Sequence, residues 1–348
     1  MTNLQATKEE WQQLFETTIR FKKQAPWDWM EDEDYFLITD PDSGEHGCCV
    51  VLGAGRISYG LNVYIGPNAR LFLQELSGVN DQLEDDQLEL IHSTRAITVS
   101  FENRDQLDKD DLQLIRDLGY KFRGAQAWPQ FQSYEPGLLP AELNGPEVRF
   151  LRTALEQTMH VADRFRENHE LYFEHDQTDE GTGEKRLHRV PEITSSGVTW
   201  SDTWLPWLEE GDFLTPYVYP NELQLRQLAK SLKKSTEIWH SDFQYISQAF
   251  GEKDERGSYP RLSLWMNASA DFVMAGGLAG NHNFIQAYVE QLLNLLKESD
   301  HTPASIQVSS KKAYLALKDT ADKLGIKLQF NFDLPELQMA FNEIENSI

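Results

Sequence analysis

The chain has 348 residues, of which 40% are hydrophobic and 11% aromatic. This much apolar surface supports a folded core and excludes a wholly disordered chain, and the length predicts two domains. The 56 acidic and 32 basic residues give a formal net charge of −24, which is expected to repel nucleic-acid phosphates and anionic membranes. We therefore expect an unknown protein or small ligand as partner and no nucleic acid.

Membrane and export segments are not predicted. No apolar run approaches the roughly 20 residues that a membrane span requires, and residues 1–20 are polar rather than signal-like. The only cysteines, Cys48 and Cys49, are neighbours on a predicted strand and would point to opposite faces, so they are poorly placed to bond to each other. The sequence therefore predicts a reduced, cytoplasmic protein.

Residues 1–145 are predicted to form an N-terminal α/β domain. Trp11, Leu14 and Phe15 recur at helical spacing, and the turn residues at 40–45 separate two apolar runs as in a hairpin. The elements predicted here are a helix over 8–23, strands over 35–39, 47–53 and 60–65, helices over 67–76 and 83–92, a strand over 96–100, a helix over 110–118 and a strand after Gly119.

Residues 146–258 are predicted to be a helical and irregular connecting region rich in Trp, and residues 259–348 a C-terminal α/β domain. The connecting region is expected to contain a helix over 147–167, an irregular stretch with a polar loop and short strands over 168–220, a helix over 222–234 and a mixture of strand and helix over 236–250. The last domain is expected to contain hairpin strands over 262–266 and 272–278, a helix over 284–297, a strand over 305–308, a helix over 312–324, a strand over 326–330 and a helix over 336–345.

The predicted fold class is α/β, or α+β, with two lobes of mixed sheet and packed helices. Two similar units favour an internal duplication. In each unit a predicted helix lies between two similar segments: 97–100 and 118–122 in the first unit correspond to 306–309 and 324–328 in the second. The alternative is chance, because β-α-β segments closed by a glycine recur in many proteins. The order hairpin, helix, strand, helix, strand is also compatible with an RNase H-like layer in the C-terminal half.

Enzymes with such a layer hold two metal ions with carboxylates on the first strand, on the following helix and at a later strand end. In the C-terminal half, the strand taken as the first ends in Asn267, and the later strand ends in Ser309 and Ser310. Asp271 and Glu290 remain, which are too few for a metal site.

The N-terminal half offers Asp40, Glu75 and Glu102 at roughly corresponding places. These three carboxylates define the alternative function, a divergent metal-dependent hydrolase or nuclease. That function requires the three groups to converge within about 4–5 Å of a common point.

Other motifs do not indicate a cofactor or a metal. Gly53 and Gly55 resemble the start of a dinucleotide fingerprint, but a strand rather than a helix follows, so a hairpin turn is the better interpretation. The residues from Asp40 to Val51 lack the glycine and glutamate positions of a calcium loop. The nine histidines have no metal-ligand spacing, and buried thiols are expected at the two cysteines.

The most unusual feature is the tryptophan content. Trp is enriched at binding hot spots and is also a common large core residue. The candidate binding residues are Trp27, Trp29, Trp200, Trp204 and Trp207. Because no catalytic constellation is evident, the leading interpretation is a non-catalytic binding or regulatory protein whose oligomeric state the sequence leaves open.

Several short motifs together resemble an uncharacterised bacterial two-domain family. They are Trp11-x-x-Leu14-Phe15, Pro26-Trp27-x-Trp29, Asp40-Pro41, Gly60-Leu61-x-Val63-Tyr64-x-Gly66, Trp128-Pro129-x-Phe131, and the segment from Pro303 through Leu324-Gly325-Ile326 to Leu334-Pro335. The resemblance covers most of the chain and implies a two-domain architecture. Since the family has no assigned activity, the resemblance implies no catalytic residue.

Overall fold

The chain folds into two compact units, each with its own sheets and core, in the computed structural model. The structure describes residues 5–66, 69, 72–73, 92–174, 185–195, 197–206, 216–251, 256–280 and 283–347. Unit 1 comprises Met1–Leu83, Ser93–Glu135 and Pro140–Asp212, and unit 2 comprises Glu84–His92, Pro136–Leu139 and Phe213–Ile348.

The described helices and strands follow in chain order. The α-helices are α1 Lys8–Gln24, α2 Lys109–Asp117, α3 Gly145–Glu167, α4 Glu222–Ser231, α5 Phe284–Ser299, α6 Lys311–Leu324 and α7 Pro335–Glu345. The strands of unit 1 are β1 Phe36–Thr39, β2 His46–Leu52, β3 Gly60–Ile65, β4 Arg95–Glu102, β5 Trp128–Tyr134, β6 Phe173–Glu174, β7 Lys185–Thr194 and β8 Gly197–Pro206. The strands of unit 2 are β9 Lys233–Lys234, β10 Ile238–Tyr245, β11 Arg261–Asn267, β12 Phe272–Ala279, β13 His301–Thr302, β14 Ser305–Val308 and β15 Lys327–Phe330.

Helix α1 shows how local sequence sets the ends of an element. The Thr7 hydroxyl accepts a hydrogen bond from the Glu10 backbone N–H, and the Glu10 carboxylate accepts one from the Thr7 N–H, forming a capping box. The apolar stripe of the helix, which includes the fully buried Phe15, faces the core. The helix ends at Ala25, which is left-handed, and Pro26 opens a short 3₁₀ turn.

The large sheet of unit 1 has the strand order β5-β4-β3-β2-β1-β7-β6, with β8 paired to β7. Neighbouring strands are antiparallel from β5 to β1, and β1 is parallel to β7. Helices α1 and α3 contribute Phe15, Leu151 and Leu155 to one continuous core with the sheet, and all three side chains are fully buried. This core fixes the position of the loop between β2 and β3, where a cleft lies.

The main sheet of unit 2 has the strand order β12-β11-β10-β14-β15. Its first three strands in the chain, β10, β11 and β12, are antiparallel neighbours, and β14 and β15 run parallel to β10. Helix α5 precedes β14, α6 connects β14 to β15, and α7 follows β15. This mixed topology is the one expected of the RNase H-like layer, so the predicted mixed α/β fold class is confirmed.

Both faces of this sheet are covered. Trp239, Phe243 and Trp265 pack with α5 and α6 on one face. On the other face, Leu264 packs with α7, of which Leu337 is buried. Successive side chains of a strand point to opposite faces, so the side chain of Asp242 projects from the face opposite to that of Trp239 and Phe243.

The observed units divide the chain differently from the predicted domains. The predicted connecting region, 146–258, is split, because α3, β7 and β8 belong to unit 1 whereas α4 and β10 belong to unit 2. The stretch interpreted as irregular contains the ten-residue strands β7 and β8, which pair along their whole length. Long-range pairing, which the local pattern does not show, makes these strands part of the N-terminal unit.

The predicted duplication is not supported by the strand pairing. Strand β4 lies between antiparallel neighbours, and residues 120–123, where the strand after Gly119 was predicted, form no ladder strand, whereas β14 and β15 are parallel. The mixture of strand and helix predicted for 236–250 is the single strand β10. The helices predicted over 67–76 and 83–92 lie almost entirely outside the described residues.

Candidate functional site

The carboxylates of the alternative hydrolase site do not converge. The strand register aligns Ile38, two residues before Asp40, with Arg95 through the paired strands, whereas Glu102 ends β4 at its far end. Arg95 and Glu102 are seven residues apart, which is about 23 Å at roughly 3.3 Å per residue. Asp40 and Glu102 therefore cannot share a metal ion, and Glu75 lies outside the described residues.

Asp40 instead organises the turn between β1 and β2. Its side chain is 6% exposed. Its Oδ2 accepts hydrogen bonds from the Ser43 N–H at 3.2 Å and the Ser43 hydroxyl at 2.6 Å, and its Oδ1 accepts one from the Asp42 N–H at 3.3 Å. An aspartate that bonds to the backbone two and three residues ahead stabilises a turn, so the interpretation of this loop as a turn agrees with the structure.

A carboxylate that the sequence interpretation missed lies in unit 2. Asp242 is on β10, the first strand of the mixed sheet, and is 4% exposed. Next to it, β14 ends and Ser309 and Ser310 lead into α6. Asp242 thus occupies the first-strand position where the enzymes of this fold class carry a metal-binding carboxylate. The alternation of Trp239, Phe243 and Tyr245 was the signal for this strand.

Both oxygens of Asp242 are occupied by protein donors. Its Oδ2 accepts hydrogen bonds from the Ser309 N–H at 2.8 Å, the Ser309 hydroxyl at 2.7 Å and the Ser310 N–H at 2.6 Å. Its Oδ1 accepts from the Phe243 N–H and the Ser310 hydroxyl, both at 2.7 Å. The carboxylate therefore sits at the N-terminus of α6, where a helix favours an anion.

The electrostatics of Asp242 agree with a structural role. Burial raises the pKa of its carboxyl group, and the hydrogen bonds from Ser310 and Ser309 oppose that rise. Helix α5, which carries Glu290, packs on the opposite face of the sheet, so Glu290 does not complete a site with Asp242. Within the described part of the chain, no group of three or more His, Cys, Asp or Glu side chains is arranged to hold a metal ion.

Trp27 and Tyr59 form an aromatic corner in unit 1. Their ring centroids are 5.2 Å apart at an interplanar angle of 61°, and both side chains are half-buried. Trp27 also makes edge contacts with Phe21 at 5.6 Å and Phe101 at 5.8 Å, which fix its ring. Gly53 allows the close approach, because a Cβ atom there would lie 2.6 Å from Trp27 and 2.7 Å from Tyr59.

The corner opens into a cleft of about 220 Å³. Its lining residues are Trp27, Asp28, Trp29, Met30, Glu31, Gly53, Ala54, Arg56 and Tyr59. Asp28, Glu31 and Arg56 are exposed at its rim. The cleft is smaller than the roughly 300–1,000 Å³ of sites for drug-sized ligands, so it has room for a side chain or a head group.

Trp29 also lines the cleft. Its indole N–H donates a hydrogen bond of 2.9 Å to the Ala162 carbonyl oxygen of α3. The guanidinium of Arg166 lies 4.9 Å from the centre of its ring, a cation–π distance. The aromatic surface at this edge of unit 1 therefore already accepts one cation from its own chain.

The other candidate tryptophans lie outside this cleft. Trp200 and Trp204 are on β8, half-buried against the core of unit 1, and the Trp204 indole N–H donates to the Leu171 carbonyl oxygen at 3.3 Å. Trp207 is outside the described residues. Of the five candidates, the structure brings Trp27 and Trp29 together at one cleft and places Trp200 and Trp204 in core packing.

Neither cysteine is in a disulfide, and both are buried. Burial raises the pKa of the Cys49 thiol far above its usual range, so the thiolate needed for nucleophilic attack is disfavoured. These properties agree with the prediction of unreactive core thiols.

The chain belongs to a family defined by a domain of unknown function, DUF7309, whose model matches residues 11–188. A second domain of unknown function, DUF6930, matches residues 224–345. The two matches confirm the resemblance to a two-domain family without an assigned activity, and they follow the observed units more closely than the predicted domain boundaries. No curated protein matches the sequence.

Two solved structures show a limited similarity. One is a chain of the simian T-cell lymphotropic virus intasome in complex with PP2A regulatory subunit B56 gamma, with a TM-score of 0.24 and 15% identity over 34% of this chain. The match spans 40% of that chain's length. The other is the Mos1 transposase paired-end complex with left transposon end, with a TM-score of 0.23 and 12% identity, covering 80% of this chain and 72% of the other.

The expectation that nucleic acid is not a partner conflicts with these neighbours, an intasome and a transposase with its transposon end, and is withdrawn. Similarity at these TM-scores carries no argument for what this chain binds. The expectation was based on the net charge of −24. A ligand responds to the local charge of the surface that it contacts, which the net charge does not describe. In the described part of the chain, no helix combines the length and apolar character needed to cross a membrane.

Proposed function

We propose that this chain is a non-catalytic binding module of the bacterial cytoplasm, and that the Trp27–Tyr59 corner receives a cationic group. The group would belong to a small ligand or to a side chain of a protein partner. The observation that supports this proposal is the open aromatic corner with Asp28 and Glu31 at its rim.

The chemistry of the corner favours a cation for two reasons. The faces of Trp and Tyr rings attract ammonium and guanidinium groups, and two rings at 61° to each other can contact one cation from two sides. The carboxylates at the rim and the net charge of −24 add a longer-range attraction. Arg56 opposes this attraction locally, but it is a single exposed side chain at the loop tip.

A non-catalytic role is supported by how the carboxylates are used. The carboxylate of Asp40 accepts hydrogen bonds within a turn, and that of Asp242 accepts them at the start of a helix. Neither carboxylate is therefore available to bind a metal or to transfer a proton. The two buried cysteines, which form no disulfide, are compatible with a reducing compartment.

The proposal is tested by isothermal titration of the full chain with choline and with a hexa-arginine peptide. Choline presents a compact cationic head group, and the peptide presents guanidinium side chains, so the two probes distinguish a small ligand from a protein segment. We expect at least one of them to bind, with at least about tenfold weaker binding to Trp27→Leu and to Asp28→Asn/Glu31→Gln.

Two matched controls locate the effect. Trp200→Leu removes a half-buried tryptophan away from the cleft, and Asp105→Asn/Glu167→Gln removes the same number of exposed charges elsewhere in unit 1. Both controls are expected to bind within about twofold of the wild type. If neither probe binds, or if the controls lose affinity as much as the cleft variants, the proposal is wrong.

A further inference from the structure

A second concave surface of unit 1 has the opposite charge. It is a groove of about 450 Å³ and is formed by the C-terminal half of α1, β4, the start of β5 and the loop after α2. Its lining residues are Thr18, Ile19, Lys22, Lys23, Phe101, Lys121, Phe122, Arg123, Ala127 and Pro129. Four of these ten are basic, and among the described residues that line the groove none is acidic. In a chain with 56 acidic and 32 basic residues, such a surface is an exception.

The loop that carries two of the cations is held by its aromatic side chains. Tyr120 stacks on Phe15 at 4.9 Å, and Phe122 stacks on the same ring at 6.3 Å. The rings of Tyr120 and Phe122 thus lie against the core, whereas Lys121 and Arg123 are exposed.

The basic side chains of the groove differ in whether they already have partners within the chain. Lys22 donates a hydrogen bond to the Gln126 carbonyl oxygen, and its Nζ lies 4.7 Å from the centre of the Phe101 ring. Lys23, Lys121 and Arg123 make no hydrogen bond or ion pair with the other described residues. Three donors around one groove are thus available to a ligand.

The floor of the groove is apolar. Phe101 is buried beneath it, Phe122 is half-buried and Ile19 is 42% exposed. An apolar floor with cations around it suits a molecule that has a planar or apolar body and a separate anionic group. The volume of about 450 Å³ lies within the roughly 300–1,000 Å³ of sites for small organic ligands.

We propose that this groove binds an organic phosphate of nucleotide size. Its phosphates would be held by Lys23, Lys121 and Arg123, and its planar body would lie against Phe122 and Ile19. Arg presents a donor fork that matches phosphate oxygens, and Lys supplies a compact charge. Bases stack on aromatic side chains in many sites of this kind. This site is separate from the Trp27 corner and does not depend on its proposed function.

The test is isothermal titration of the full chain with ATP, in EDTA, at 50 and 200 mM NaCl. ATP is expected to bind and to weaken at the higher salt concentration. Adenosine and inorganic pyrophosphate are each expected to bind at least about tenfold more weakly, because each lacks one half of the proposed contacts. The variant Lys121→Glu/Arg123→Glu is expected to lose at least about tenfold in ATP affinity.

The matched control is Lys230→Glu/Lys234→Glu, which changes the net charge equally at two exposed lysines of unit 2. It is expected to retain ATP affinity within about twofold at 200 mM NaCl. Melting temperatures of all variants should match the wild type, since the exchanged side chains are exposed.

Two results would overturn the proposal. The first is no binding of ATP, and the second is equal loss of affinity in both charge-reversed variants. If ATP does not bind but a twelve-nucleotide oligothymidylate does, the groove would be assigned to a strand of nucleic acid instead.

Discussion

The two units place their chemically versatile residues in different settings. In unit 2, Asp242 lies on the first strand of a sheet whose topology elsewhere supports metal-dependent chemistry, but five hydrogen bonds from the protein occupy its oxygens. In unit 1, Trp27 and Tyr59 leave an aromatic corner open beside exposed carboxylates. The carboxylate of unit 2 is therefore enclosed by its own chain, whereas the aromatic corner of unit 1 is accessible.

This difference teaches that topology and function must be argued separately. At Ser309 and Ser310, the hydroxyl and N–H groups are donors to Asp242. A carboxylate at that strand end would repel Asp242 unless a metal lay between them. In this structure the hydroxyl groups of Ser309 and Ser310 donate to Asp242 and hold it at the start of α6.

The largest expected effect comes from Asp242→Asn. The new amide nitrogen faces backbone N–H and hydroxyl donors that it cannot accept from, so we expect a loss of about 2–4 kcal/mol in the free energy of unfolding. Urea unfolding followed by circular dichroism measures it.

Asp271→Asn is the matched control for Asp242→Asn. Asp271 is exposed, with a left-handed φ of 54° that asparagine tolerates, so no loss is expected there. A stability of Asp242→Asn equal to that of the wild type, together with a Mg²⁺-dependent rise in the wild-type melting temperature, would contradict the structural role of Asp242.

A second prediction concerns the packing of the aromatic corner. Gly53→Ala places a Cβ atom 2.6 Å from Trp27 at a backbone φ of 141°. We therefore expect the free energy of unfolding to fall by about 2–3 kcal/mol. The substitution should also weaken choline or peptide binding, because the Trp27 ring must move. Gly55→Ala, which meets nothing within 4 Å, should leave both stability and binding unchanged; losses of similar size in the two variants would show that the corner is not tightly packed.

Trp29→Phe tests the other side of the cleft. The variant loses the hydrogen bond to the Ala162 carbonyl oxygen and part of the contact with Arg166, so a loss of about 1 kcal/mol is expected. Trp200→Phe makes the same exchange at a half-buried position outside the cleft. Its free energy of unfolding should fall by less than that of Trp29→Phe. Chemical unfolding of both variants measures the difference, and a smaller loss for Trp29→Phe would argue against a rigid cleft wall.

The smallest expected effect is a pH dependence in unit 2. His301 Nε2 lies 2.8 Å from a Glu237 carboxylate oxygen, and this hydrogen bond raises the pKa of His301 above its usual 6.5. Hydrogen bonds from Trp239 and His301 lower the pKa of Glu237. The contribution of His301 to stability is therefore full below pH 6.5 and is lost as the pH rises through its raised pKa.

Glu237→Gln should consequently be less stable than the wild type between pH 5 and 6.5, by less than about 1 kcal/mol because the pair is partly exposed. The difference should shrink by pH 9. Melting curves at these pH values measure it, with Glu298→Gln as an exposed control. A difference that grows as the pH rises would have the wrong sign for this pair.

Much of the fold was predictable because its elements carry local signals. The stripe of Trp11, Leu14 and Phe15 marks α1, and strand β3 has the predicted bounds Gly60–Ile65. The mixture of strand and helix predicted over 236–250 is wrong, and buried Ser241 and Asp242 interrupt the apolar pattern of the observed strand β10. Such polar core positions depend on partners far along the chain, here Tyr288 and Ser309, so the local pattern cannot show them.

The candidate sites were harder to predict from the sequence than the fold. Trp27 and Trp29 stood out by residue type, but their separation from Trp200 and Trp204 depends on the β7–β8 hairpin. The basic groove joins Lys23 to Lys121 across about a hundred residues of chain. That surface forms only in the tertiary structure, and the strongly acidic composition gave no indication of a basic surface.

The most direct test of binding at the aromatic corner is a ¹H–¹⁵N NMR titration of the indole N–H signals with choline and with hexa-arginine. We expect the signals of Trp27 and Trp29 in unit 1 to shift with at least one probe, while those of the buried Trp239 and Trp265 in unit 2 stay in place. Unchanged Trp27 and Trp29 signals, or shifts confined to Trp239 and Trp265, would contradict the assignment of binding to the aromatic corner.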